Sequence, residues 1–125
     1  MMRQKLIYVE LKTGYSDDGP AWIGKAFFSK SGKTIYFNGL ILVGSGKGIC
    51  FAIESRDKYW TSGIKKNGQD RHWAGKGKIN IDKEAINEYL LAVGLTELPK
   101  NKFSIIDFDN EPKIEKANQF ANEKL

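Results

Sequence analysis

The sequence predicts a mainly β fold of the α+β class: a small curled antiparallel sheet or partial barrel of five to six strands, with one packed helix and a C-terminal helical segment. Three observations predict it. Short runs of two-residue apolar periodicity recur through the first 82 residues. Gly, Pro, Asn and Asp clusters separate those runs. Helical periodicity appears only from Lys83 onward. The same pattern also admits an open sheet with one face covered by both helices.

Taken in order, Ile7, Val9 and Leu11 alternate with Tyr8, Glu10 and Lys12, as a half-buried strand requires. Thr13 to Pro20 breaks the alternation with Gly14, Asp17, Asp18, Gly19 and Pro20, all turn formers. A second strand spans Ala21 to Ser29, and Ser31-Gly32 turns it into a third, Thr34 to Asn38. Leu40 to Val43 reads as that strand resuming after a bend at Gly39. Gly44, Gly46 and Gly48 form a loop before a strand at Ile49 to Glu54, and Arg56 to Lys58 leads into Tyr59 to Lys66.

Asn67-Gly68 is the clearest turn, because a type I′ hairpin needs positive φ at both central residues. The implied register sets Ile64 opposite Arg71, Gly63 opposite His72, Ser62 opposite Trp73 and Trp60 opposite Gly75. Trp60, Ile64 and Trp73 then face the core, and Tyr59, Lys65, Asp70, His72 and Lys76 face solvent.

Ile79 and Ile81 make a last short strand. Asp82 caps a helix over 83–93 whose Ile86, Tyr89, Leu90 and Val93 share one face, and Gly94 ends it. Phe103 to Phe108 reads as a further strand, and Pro112 opens a polar helix with a thin stripe of Ile114, Ala117, Ala121 and Leu125. We therefore expect one domain over 1–98 and a C-terminal extension over 99–125.

Composition limits the function classes. The 125 residues are 41% hydrophobic, enough for a packed core at this length. One cysteine, Cys50, and one histidine, His72, exclude an intrachain disulfide and a Cys/His zinc site built from this chain alone. No run approaches the roughly 18 apolar residues of a membrane span, and the Leu6 to Val9 run, interrupted by Glu10, is too short for a secretory signal, so the expected setting is cytoplasmic. Charge is uneven: residues 1–82 carry 14 Lys and Arg against 7 Asp and Glu, and residues 83–125 carry 6 against 8. A basic body attracts anions such as nucleic acid.

Several motifs have plain structural readings. Gly44-Ser45-Gly46-Lys47-Gly48 lacks the Ser or Thr after lysine and the leading glycine of a phosphate loop, and it reads as a hairpin connection. Asp17 and Asp18 are turn aspartates without the further ligands of a calcium loop. Asp70 and His72, neighbours along one strand face, have no serine or cysteine delivered to them. Cys50 lies in an apolar run as a small hydrophobe.

The segments 8–15 (YVELKTGY), 29–39 (SKSGKTIYFNG) and 65–75 (KKNGQDRHWAG) resemble a group of small bacterial proteins with no established activity. The resemblance covers about residues 6–82. It implies a bacterial cytoplasmic setting and carries over no site residues.

The resulting expectation is a non-enzymatic binding module, with no cofactor, metal or catalytic residue. Its basic, partly aromatic face of Tyr59, Lys65, Arg71, His72 and Lys76 would meet an anionic ligand, nucleic acid or protein. One alternative is a small hydrolase-like enzyme using Asp17, Asp18 or His72. The other is an interaction domain whose C-terminal helix docks on a partner protein.

Overall fold

The computed structural model describes residues 3–12, 19–46, 48–66 and 78–123. Six strands form an up-and-down meander: β1 (Arg3–Leu11), β2 (Ala21–Phe28), β3 (Thr34–Phe37), β4 (Leu40–Gly46), β5 (Ile49–Ala52) and β6 (Lys58–Gly63). Each pairs antiparallel with the next, and β6 returns to β1, Tyr8 lying opposite Ser62 on one side and Ile23 on the other. The result is a closed barrel. Closure leaves none of the six with a long free edge, the standard liability of a small sheet.

Two additions complete the fold. β7 (Ile79–Asp82) lies parallel to the first half of β2, and β8 (Phe103–Ile106) lies parallel to β7. Between them a 3-10 turn at Lys83–Ala85 leads into α1 (Ile86–Val93), and α2 (Ile114–Glu123) ends the chain. Asp82 accepts the Glu84 amide as N-cap, and Gly94 closes α1 at φ 74°, as the sequence indicates.

Two cores follow from this layout. The barrel interior is filled by Ile7, Val9, Ala26, Ile35, Phe37, Leu42, Cys50, Ala52 and Tyr59. Outside, Leu6, Tyr8, Ala21 and Ile23 pack against Ile79, Ile81, Ala85, Tyr89 and Phe103. β1 is therefore buried on both faces: Tyr8 is 1% exposed and Glu10 3%, where the alternation implies a solvent side. The β7–α1 layer, brought back from 70 residues downstream, covers that side. Glu10 is accommodated because each carboxylate oxygen has a donor, the Tyr8 hydroxyl at 2.6 Å and the Lys12 ammonium at 3.0 Å.

Two expectations are corrected here. Leu40 to Val43 does not resume the preceding strand but opens a new one, β4. Asn38 (φ 46°) and Gly39 (φ 76°) form a two-residue turn with Phe37 opposite Leu40, so β3 and β4 are a hairpin. Trp60 is flanked by Glu10 on β1 and Ile49 on β5, which leaves no edge for the expected pairing with Gly75. Residues 67–77, including the Asn67-Gly68 turn and Trp73, lie outside the described residues.

The segment 99–125 carries a strand, β8, and a helix, α2, as its sequence pattern indicates. β8 is hydrogen-bonded into the sheet, and Phe108 enters the barrel, meeting Phe37 edge-on at 5.1 Å between ring centroids. Asn110 still bonds the buried Asp82 at 2.8 Å, but past it the segment is tied by exposed ion pairs, Lys113 with Asp109 at 3.1 Å and Lys116 with Glu54 at 2.8 Å. Exposed pairs are screened by solvent and contribute little to stability. Removing residues 111–125 should therefore lower Tm by no more than about 5 °C, whereas stopping at Ile106 should lower it by more than about 10 °C. Thermal unfolding of the two truncations checks this; equal losses would place the stabilising contacts in α2.

Candidate anion-binding end of the barrel

Because the meander alternates direction, its connections fall alternately at two ends. One end collects the start of β1, the β2–β3 turn, the β4–β5 connection and the exit from β6. It carries Arg3, Lys5, Lys30, Lys33, Lys65 and Lys66, all exposed. No Asp or Glu occurs in residues 1–9, 28–34, 43–50 or 61–66. The other end holds Glu54 and Asp57 on the β5–β6 turn and is crossed by Asp107, Asp109 and Glu111. The barrel is polarised along its axis.

Local structure fixes the basic end. In the β2–β3 turn, Ser29 pairs with Thr34 through its amide and hydroxyl, Gly32 donates to the Ser29 carbonyl at 2.8 Å, and Gly32 adopts φ 78°. This holds Lys30 and Lys33 at the tip. Arg3 pairs in register with Phe28, and its guanidinium lies 5.7 Å from the Phe28 ring centroid. Gly63 carries no side chain where the Lys5 ammonium passes, 3.6 Å from the position a Cβ would take. Arg3, Gln4, Lys5 and Phe28 line an open depression of about 360 Å³.

Of the sequence-derived site residues, Lys65 is exposed at this end. Tyr59 is not at the surface: it is 6% exposed, lies inside the barrel, and packs 6.3 Å from Trp22 between ring centroids. In a closed barrel the face of β6 opposite Trp60 is the lumen, so the face assigned to solvent is interior. Burial, then the charge of Asp57, pushes the Tyr59 phenol up. Arg71, His72 and Lys76, together with Asp17 and Asp18, lie outside the described residues. Trp60 and Ile64 are half-buried against the outer core, consistent with their assignment to a packed face.

The reactive-group inventory is short. Cys50 is buried, and burial raises its thiol above the ordinary value, which disfavours the nucleophilic thiolate. No group of three or more His, Cys, Asp or Glu side chains among the described residues is placed to hold a metal ion. On α2, Ile114 is 43% exposed and Ala117 half-buried, so the stripe is a thin one. No helix is long and apolar enough to cross a membrane among the described residues. No protein family, curated protein or solved structure matches the chain.

Sequence reasoning missed Arg3, Lys5, Lys30 and Lys33 as a group. The signal was present in their spacing: segments with Lys or Arg and no Asp or Glu fall at every second connection of the meander.

Proposed function

We propose that this chain is a non-enzymatic binding module, and that the basic end of its barrel holds a polyanion, with single-stranded nucleic acid as the favoured class. One observation carries the reading: six exposed cations share one end of the barrel, drawn from three separate segments whose sequences contain no Asp or Glu. A surface that only confers solubility interleaves both signs, as the opposite end does with Lys113 and Lys116 against Asp109 and Glu54. Clustered cations generate a positive field that attracts phosphates and releases their counterions. Phe28 and the Arg3 guanidinium add planar surface beside that field, which suits an unpaired base.

Binding of a fluorescent oligonucleotide followed by anisotropy tests this. Affinity should fall steeply with salt, with a log–log slope of about −3 to −3.5 if four to five phosphates are neutralised. Reversing Lys5, Lys33 and Lys65 to glutamate should reduce affinity by at least about 100-fold at low salt, leaving Tm within about 3 °C. Reversing Lys113 and Lys116 should change it less than about threefold. Undetectable binding by the unmodified protein at low salt, or equal losses from the two sets, would refute the assignment.

A further inference from the structure

The eight-stranded sheet ends on β8, which among the described residues pairs only with β7. In a parallel ladder every second residue faces its neighbour. The Ile79 amide bonds to the Lys102 carbonyl at 2.9 Å, so Lys102, Ser104 and Ile106 face β7 and the main-chain groups of Phe103 and Ile105 point away from it. No backbone partner satisfies them among the described residues. On the α1 side of this edge, Phe103 is covered by Tyr89 at 5.4 Å between ring centroids, while Ile105 stays 58% exposed.

A natural edge strand is usually blunted by an inward charge, a proline or a bulge. Phe103-Ser104-Ile105-Ile106 has none of these. Charge lies instead at its two ends, Lys100 and Lys102 before it and Asp107 after it. A parallel neighbour would set like charges together. An antiparallel copy of the same strand sets each basic end beside the other's acidic end.

We infer that β8 is a homodimerisation edge, joining two copies of this chain antiparallel about a two-fold axis normal to the sheet. Such an axis keeps side chains on their own face, so opposed residues must be an even number of positions apart. With Ser104 on the axis, Phe103 lies opposite Ile105 of the second copy. Both have outward main-chain groups, and the two such pairs exchange N–H···O bonds reciprocally. Each pair brings the exposed Ile105 of one copy beside the edge of the other copy's Phe103–Tyr89 pair. The edge is four residues long, so the interface is small and the association weak, with Kd on the order of 10–100 µM.

The register predicts a cross-link. Ser104 would occupy a non-hydrogen-bonded position opposite its copy, with Cα atoms about 4.5 Å apart, within the span of a disulfide. Under mild oxidation Ser104→Cys should run as a covalent dimer, and the unmodified protein, whose Cys50 is buried, should not. Sedimentation of the unmodified protein from about 5 to 500 µM should show mass rising from 14.1 kDa towards twice that value. Ile105→Lys, at an exposed position, should weaken self-association at least about tenfold while leaving Tm nearly unchanged. A monomer at all concentrations, or a dimer indifferent to Ile105→Lys, would overturn the inference. Dimerisation without Ser104→Cys cross-linking would overturn the register and with it the pairing proposed. None of these outcomes depends on anion binding.

Discussion

Phe108→Ala should destabilise the domain by about 3 kcal/mol and lower Tm by more than about 10 °C, although residue 108 lies far from the barrel strands in sequence. β2 pairs with β3 only at Phe27 and Phe28, because its first half is turned toward β7. That leaves a gap between β2 and β3, and the Phe108 ring enters it against Phe37. Gly24 makes the space: a Cβ at that position would collide with the Phe108 ring edge. Gly→Ala in a strand ordinarily stabilises by about 0.5–1 kcal/mol, whereas here overpacking should reverse the sign and cost about 2 kcal/mol. In a Phe108→Ala background the same Gly24→Ala change should become neutral or favourable. Chemical denaturation of the four proteins measures the coupling, and additive effects would show that the ring and the glycine do not share this space.

Asp82→Ala should cost about 3 kcal/mol. The side chain is 2% exposed and serves three donors: the Glu84 amide at 3.4 Å, the Phe108 amide at 3.3 Å and the Asn110 side-chain amide at 2.8 Å. It thus caps the turn into α1 and also fixes the backbone that carries Phe108. Removing a cap costs about 1 kcal/mol, and leaving donors to a charged group buried and unpaired adds about 2 kcal/mol. Asp82→Asn keeps an N-cap acceptor and should lose about half as much. Equal stability of the Ala variant and the parent protein would mean that these contacts contribute nothing net.

Much of the fold was legible because the apolar spacing is regular. The alternation at Ile7, Val9 and Leu11 marks the lumen side of β1, and the 3.6-residue spacing at Ile86, Tyr89 and Val93 marks the packed face of α1. Closure of the barrel was not legible, because no single strand records which partner returns to it. Closure accounts for the misplacement at Tyr59, whose face is the lumen, and the added β7–α1 layer accounts for those at Tyr8 and Glu10, where a strand expected to have a wet face has two dry ones. Asn38-Gly39 carried the same turn signal as Asn67-Gly68, but the short run before it reads as continuous with the run after it.

The candidate site was legible only as a charge imbalance. Lys30 and Lys33 in one turn, and Lys65 and Lys66 some 30 residues later, are unrelated in sequence. They meet because an even number of antiparallel strands separates them. Lys65 was identified beforehand and Arg3, Lys5, Lys30 and Lys33 were not, since only the topology assigns them to one end.

The most direct test is an amide NMR titration of the isotopically labelled protein with a single-stranded oligonucleotide at low salt. The account predicts that the largest shift changes fall in residues 3–6, 28–34 and 63–66 and reverse on adding salt, while residues 38–39, 53–57 and 107–116 stay in place. Changes concentrated at the second set, or none at all, would contradict it.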